Sequence, residues 1–274
     1  MMFGKRGQYG GGKPFFESVV PLILIIILAV FIAAKFNYID LHSIPLIGSL
    51  FPASYIKIVV IGNPSSTFVN VMQSEDYRIA GLTYAGAIRQ EAVVPGVLKN
   101  FDIVILQGTP ICDRTARKVL GDYVKGGGRL LVVGDSCTRV NDDPNAVGWD
   151  IGIGSLGDVI PVAYGGIIAH ERIGDPTFSA DGKFKIVSPY HPIFNGILNF
   201  GFYGTLVGVI PNANSDVLAY VDTYGGKPTA PATFAIVESR SMLGGKTMYF
   251  AFDPSTTSRN MLMNTLLYMK GAKG

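Results

Sequence analysis

The longest apolar run in the chain contains sixteen residues without a charge, from Val19 to Ala34. As a helix rising about 1.5 Å per residue it would be roughly 24 Å long, and aromatic neighbours extend it toward the roughly 30 Å hydrocarbon core of a bilayer. The pattern therefore predicts one transmembrane helix over residues 15–36. A cleaved signal peptide is the alternative, although Ile32 poorly fits the small residue expected before a cleavage site. A buried core helix is disfavoured because the run has no polar face.

Basic residues flank this helix unevenly. Lys5, Arg6 and Lys13 precede it, whereas only Lys35 follows before Lys57. Because basic residues are retained on the cytoplasmic side, this bias predicts a single-pass protein of the cell membrane with a cytoplasmic N-terminus. The C-terminal domain would then be extracytoplasmic, and the lipid bilayer would be the first partner of the chain.

The remaining chain divides into three parts. Residues 1–14 are rich in glycine and basic residues and are predicted to form a flexible cytoplasmic tail, residues 37–54 form an apolar linker, and residues 55–270 form one domain. The chain has 23 basic and 20 acidic residues; four basic and one acidic residue lie in residues 1–35, which leaves 19 of each for the rest. A balanced domain without basic runs argues against nucleic acid as a partner.

Within the domain, three short runs are apolar on both faces, as buried parallel strands require: Tyr55–Ile61, Asp102–Gln107 and Arg129–Val133. Periodicity predicts helices over Thr67–Gln73, Asp113–Lys125 and Arg259–Met269, and further strands over Tyr77–Thr83, Val217–Val221, Thr233–Val237 and Lys246–Phe252. Residues 150–208 are predicted to be loop-rich. Strand–helix–strand units joined by glycine-rich turns predict an α/β fold with a parallel sheet and a β-rich C-terminal extension.

Five segments, taken in order, carry a resemblance to a known family. They are FDIVILQGTP at residues 101–110, VKGGGRLLVVGDS at 124–136, LGDVIPV at 156–162, SPYHPIFNGI at 188–197 and GGKTMYFAFDPS at 244–255. Their order and spacing resemble the class I glutamine amidotransferase-like superfamily, especially its ThuA-like branch. The resemblance implies a flavodoxin-like parallel sheet sandwiched by helices.

Catalytic members of that family carry a nucleophilic cysteine on a strained, glycine-flanked turn before a helix, with a histidine and an acid completing a triad. Here the turn is residues 134–139, with Ser136 at the nucleophile position and Cys137 one residue beyond. The glycine after the nucleophile is missing, and Pro and Ile follow His191 where the family has an acid. We therefore expect no catalytic residue. The alternative is a hydrolase or amidase that uses Ser136 or Cys137 with His191 or His170 as base.

The two cysteines, Cys112 and Cys137, follow neighbouring strands and should both lie at the carboxyl edge of the sheet. In an extracytoplasmic domain they are candidates for a disulfide, which would remove Cys137 as a nucleophile. Two cysteines are too few for a structural zinc site, and we predict neither a metal site nor a cofactor.

The carboxyl edge of an open α/β sheet is also where ligands bind. The residues that the sequence places there as ligand candidates are Asn63, Ser65, Ser66, Thr109, Asp135 and Trp149. The turn after the first strand has neither a dinucleotide fingerprint nor a phosphate-binding lysine, so no nucleotide is indicated.

These observations predict a membrane-anchored, extracytoplasmic, non-catalytic subunit that binds or scaffolds. Its expected partners are a membrane or cell-envelope protein complex and a glycan. Two alternatives remain open at this point: the hydrolase or amidase described above, and a structural subunit of a surface filament or layer.

Overall fold

The structure, a computed structural model, describes residues 20–29, 55–151, 154–165, 167–168, 171–172, 176–223, 233–240 and 245–271. The chain forms two compact units, Met1–Ser54 and Tyr55–Gly274. The predicted tail, residues 1–14, and the predicted linker, residues 37–54, lie outside the described residues.

In the first unit the structure describes one helix, α1, over residues 20–29, whose side chains are exposed. Within the described part of the chain, no helix is long and apolar enough to cross a membrane. This finding contradicts the predicted transmembrane helix over residues 15–36. The prediction of a single-pass cell-membrane protein with an extracytoplasmic domain is therefore wrong.

The second unit is a mixture of strands and helices. Its strands are β1 Ile56–Gly62, β2 Leu82–Ile88, β3 Ile103–Gln107, β4 Ile111–Cys112, β5 Arg129–Val133, β6 Arg139–Val140, β7 Asp143–Val147, β8 Val162–Tyr164, β9 Ile167–Ile168, β10 Glu171–Arg172, β11 Thr177–Ile186, β12 Phe200–Val207, β13 Val209–Pro211, β14 Ser215–Thr223, β15 Thr233–Arg240 and β16 Lys246–Phe250. Its helices are α2 Ser66–Met72, α3 Glu75–Ile79, α4 Arg114–Lys125, α5 Pro254–Thr257 and α6 Arg259–Lys270, with 3-10 turns at Gln90–Ala92, Val97–Asn100 and Pro192–Phe194.

One nine-stranded sheet organises this unit, with the strand order β12-β11-β14-β15-β16-β5-β3-β1-β2. The strands from β16 to β2 run parallel, and β15, β14, β11 and β12 continue the same sheet in antiparallel order. Because β1, β3 and β5 are buried on both faces, they occupy the centre of the parallel half, as their apolar sequences predict. The predicted α/β class is confirmed.

Helices cover both faces of the parallel half. The chain moves outward from β1 to β2 and in the opposite direction from β3 to β5, so right-handed crossovers place α2 and α3 on one face and α4 on the other. The Tyr77 hydroxyl of α3 donates to the Arg259 carbonyl oxygen at 2.8 Å, which joins α6 to the first face. Helix α4 begins where the Asp113 carboxylate accepts a hydrogen bond from the Ala116 N–H at 2.6 Å.

Two predicted segments differ from the structure. The predicted strand Tyr77–Thr83 is wrong in its first part, because α3 ends at Ile79 and β2 begins only at Leu82: Glu75 and Asp76 favour a helix N-terminus, and Gly81 at φ +79° turns the chain into β2. The predicted loop-rich region, residues 150–208, contains the paired strands β11 and β12. Exposed and buried positions alternate along the middle of β11, which is the two-residue period of a strand despite its Gly and charged residues.

The parallel strands define a topological switch point between β1 and β3. The chain leaves β1 toward β2 and returns on the other side of β1 to form β3, and open α/β sheets bind ligands at the carboxyl ends of such strands. Gly62 and Gln107, the last residues of β1 and β3, are register partners, and the Asn63 N–H donates to the Gln107 carbonyl oxygen at 3.1 Å. The two strand ends are thus held against each other.

Two buried tyrosines provide a paired test of this packing. Tyr77→Phe removes a hydroxyl that is bonded to Arg259, and we expect the free energy of unfolding to fall by about 1 kcal/mol. Tyr249→Phe removes a buried hydroxyl that has no hydrogen-bond partner among the described residues, so we expect no loss, or a gain of about 1 kcal/mol. Urea unfolding measures the free energy of unfolding of both variants, and equal losses would contradict the expected difference between the two hydroxyls.

Candidate functional site

A cluster of four polar side chains lies at the switch point. Ser65, the N-cap of α2, donates from Oγ to Asp253 Oδ2 at 3.1 Å, and Gln107 donates from Nε2 to the same oxygen at 3.0 Å. The other oxygen, Asp253 Oδ1, accepts from the N–H and the Oγ of Ser255 at 2.9 and 2.7 Å. The Asp253 carboxylate therefore ties the carboxyl ends of β1, β3 and β16 together.

The amide oxygen of Gln107 is the unsatisfied member of this cluster. The Gln107 side chain is 5% exposed, and its Oε1 is buried without a hydrogen-bond partner in the described part of the chain. A buried acceptor without a donor costs about 1–3 kcal/mol. The turn above it, which includes Asn63, Ser65 and Ser66, is exposed. A hydrogen-bond donor from a ligand that reaches Gln107 Oε1 would remove this cost.

The turn after β5, where the family resemblance places a nucleophile, is closed. Ser136 is fully buried, and its Oγ donates to the Val133 carbonyl oxygen at 2.8 Å, while its own carbonyl oxygen accepts from Trp149 Nε1 at 2.8 Å. The next element is the strand β6, so the turn does not lead into a helix. The Ser136 hydroxyl is bound within the turn and does not face a substrate space.

Cys137 has φ +57°, the left-handed backbone that a nucleophile elbow requires, but its sulfur is bonded to Cys112. The Cα atoms of the pair are 4.9 Å apart, and both side chains are fully buried. The Cys137 N–H donates to the Thr109 carbonyl oxygen at 2.6 Å, which holds this turn beside the end of β3. In this state Cys137 has no thiol.

His191 is not part of this turn, and its ring contacts the carboxylate of Glu238. Its Nε2 is 3.2 Å from Oε2 of Glu238, whose side chain is 1% exposed, and the Tyr268 hydroxyl donates to Glu238 Oε1 at 2.8 Å. The His191 Nδ1 accepts from the Ile193 N–H at 3.4 Å. The structure therefore does not bring His191 to Ser136 or Cys137, and the triad of the hydrolase alternative is not assembled from these residues. The other candidate base, His170, lies outside the described residues.

Trp149 is a core residue and does not line a ligand edge. It is fully buried, and its ring packs edge-on against Tyr164 and Tyr249 at centroid distances of 5.6 and 5.5 Å. Burial raises the pKa of Tyr249 well above its ordinary value, and the Asp135 carboxylate adds to the shift. Arg117 holds the same loop by donating to the carbonyl oxygen of Trp149 at 2.9 Å. The prediction of Trp149 as a ligand contact is corrected by this packing.

The other candidates from the sequence differ in exposure. Asn63, Ser65 and Ser66 are exposed at the switch point, whereas Thr109 is half-buried and donates from Oγ1 to the Ile111 carbonyl oxygen at 3.0 Å. Asp135 is half-buried in the turn after β5. In the described ranges, no three His, Cys, Asp or Glu side chains are grouped so that they could bind a metal ion.

Sequence reasoning missed Gln107 and Asp253, although signals for both exist. Gln107 ends an otherwise apolar buried strand, and Asp253 stands before Pro254 and Ser255, a sequence typical of a helix N-cap. Neither signal identifies the partner, because Gln107 and Asp253 are 146 residues apart in the chain.

The fold defines the class of the protein: an α/β domain built on one mixed nine-stranded sheet, with a polar cluster at its switch point. No protein-family model matches the sequence, and no curated protein matches it. Among solved structures, a ThuA-like protein from Bacteroides uniformis superposes with a TM-score of 0.56 and 12% identity, over 80% of this chain and 93% of that one.

Two further structures are similar. The cytoplasmic protein STM3548 of Salmonella typhimurium gives a TM-score of 0.51 at 17% identity, over 77% of this chain and 98% of that one. A β-galactosidase from Bacillus circulans sp. alkalophilus gives a TM-score of 0.53 at 16% identity. The superposition covers 80% of this chain but only 32% of the β-galactosidase chain. At these identities the similarities show the fold alone.

Proposed function

We propose that this chain is a non-catalytic binding protein that holds a hydroxyl-bearing ligand, such as a glycan, at the switch point between β1 and β3. The non-catalytic role rests on the structure of the turn after β5. Cys137 is bonded to Cys112, and Ser136 Oγ is buried and bonded to Val133. A nucleophile must be exposed to substrate and paired with a base, and neither residue meets these requirements.

The chemistry of the ligand follows from the polar atoms at the switch point. Within the described residues, Gln107 Oε1 is an acceptor without a donor, and Asp253 is a carboxylate that already accepts four hydrogen bonds. The exposed Asn63 amide can both donate and accept. These polar groups favour a neutral ligand with several hydroxyl groups over an anion, because the Asp253 carboxylate repels negative charge.

The similarity of the fold to a β-galactosidase gives a further reason to choose carbohydrates for the test. A binding role with a glycan as ligand is also what the sequence pattern suggests.

Saturation-transfer NMR of the full-length chain with galactose, glucose, N-acetylglucosamine and lactose tests the proposal. We expect at least one sugar to receive saturation, and Gln107→Leu to weaken its binding about tenfold because the acceptor is lost. Gln73→Leu is the matched control, since Gln73 is an exposed glutamine at the opposite end of α2 from Ser65.

Two results would contradict the proposal. If none of the sugars receives saturation, or if Gln107→Leu and Gln73→Leu behave alike, the assigned ligand site is wrong. Stoichiometric labelling of Ser136 in the native protein by a fluorophosphonate would instead contradict the non-catalytic role.

A further inference from the structure

A cavity of about 570 Å³ opens at the amino edge of the parallel strands, away from the switch point. Its walls come from the turn before β3, from α4 and from the glycine turn before β5. The five residues of β3, at about 3.3 Å each, separate it from Gln107 by roughly 16 Å. Its volume lies in the range of about 300–1,000 Å³ that is usual for small-molecule sites.

The cavity has an apolar floor with aromatic side chains that are held in place. Leu98 and Val119 are buried beneath it, and Phe101 and Tyr123 are half-buried at its sides. The Tyr123 hydroxyl accepts from the Arg129 N–H at 3.2 Å, which fixes the ring. An aromatic wall of this kind offers a surface on which a planar ring can pack.

Gly128 allows the Tyr123 ring to take this position. A Cβ atom at Gly128 would lie 2.6 Å from Tyr123 Cδ1, so a larger residue there would displace the ring. The aromatic wall is therefore formed before any ligand binds, which reduces the side-chain conformational entropy that is lost on binding.

The charges around the cavity are unequal. The Asp102 carboxylate is neutralised, because it accepts from Lys270 Nζ and from the Lys57 N–H. Within the described ranges, Lys99 and Arg129 form no ion pair, and Asp122 is the unpaired carboxylate on the wall. Two unpaired cations against one unpaired anion give this opening a net positive charge.

We propose that this cavity is a second binding site, separate from the switch point, for a small planar aromatic anion. The ring of the ligand packs between Phe101 and Tyr123 above the apolar floor, and its anionic group pairs with Arg129 and Lys99. The Arg129 guanidinium can bind a carboxylate through two parallel hydrogen bonds, which orients the ligand as well as attracting it.

Isothermal titration calorimetry of the full-length chain with 2-naphthoate and with its neutral counterpart, 2-naphthamide, tests this proposal. We expect one naphthoate per chain, bound about tenfold more tightly than the amide because only the acid pairs with the cations. Arg129→Gln, and separately Lys99→Gln, should reduce this preference. Lys118→Gln should retain it, since Lys118 is exposed on α4 but does not line the cavity.

Equal affinities for naphthoate and naphthamide would overturn the proposal, as would naphthoate binding that both cavity variants retain unchanged. Absence of measurable binding at millimolar naphthoate would also overturn it. None of these results bears on Gln107 or on sugar binding, so the two proposed sites are judged separately.

Discussion

Replacing both Cys112 and Cys137 by alanine is expected to lower the free energy of unfolding by about 3 kcal/mol. The disulfide closes a loop with a sequence separation of 25, and in the chain-entropy model a cross-link of that length restricts the unfolded chain by about this amount. The bond also joins β4 to the turn after β5, at the edge of the sheet that carries the Gln107 cluster. Urea unfolding of the oxidised wild type and the double variant measures the change.

Unfolding in the presence of reductant distinguishes the stability that comes from the cross-link from the stability that comes from packing of the sulfur atoms. Unfolding the wild type in the presence of a phosphine reductant should give nearly the same loss as the double variant, and reductant should leave the double variant unchanged. The slope of the free energy against urea should rise when the bond is absent, because the unfolded chain then exposes more surface. A double variant as stable as the oxidised wild type would refute this account of the disulfide.

Gly62→Ala is expected to cost about 2–6 kcal/mol, from backbone strain of about 1–3 kcal/mol together with overpacking of similar size. Gly62 has φ +117°, a conformation that residues with a Cβ atom rarely adopt. A Cβ atom there would overlap the Gln107 carbonyl oxygen and would lie 2.9 Å from Thr109 Cβ. The substitution would therefore separate the two strand ends that form the switch point.

Gly81→Ala is the matched control for this prediction. Gly81 also has a positive φ, +79°, but a Cβ atom there would have no atom within 4 Å. We expect it to lose about 1–2 kcal/mol, the usual cost of a left-handed residue that has a Cβ atom. Chemical denaturation of both variants gives the comparison, and similar losses would show that the close approach at Gly62 contributes little.

The central strands could be predicted from the sequence because each has a continuous apolar run that only burial on both faces explains. Ile103–Gln107 and Arg129–Val133 illustrate this agreement. The hairpin of β11 and β12 was missed, since its glycines and charges resemble a loop until the pairing partner is known. The last residues of helix α3 were taken for the start of a strand, because the five residues of α3 are too few to establish a helical period.

The helix at residues 20–29 shows a second limit of prediction from the sequence. Hydropathy measures the apolar character of a segment, whereas crossing a bilayer also requires sufficient helical length. The apolar run is evident in the sequence, but no helix within the described residues is long and apolar enough to cross a bilayer.

The sequence by itself determined the α/β class, the central strands and the altered elbow, because these depend on residues that are near one another in the chain. Only the tertiary structure decided the partners of the polar groups. It paired His191 with Glu238, 47 residues away, and Gln107 with Asp253, 146 residues away. Such pairs depend on the order of strands in the sheet, which local periodicity does not specify. For the same reason, the site that we propose includes Gln107 and not Ser136.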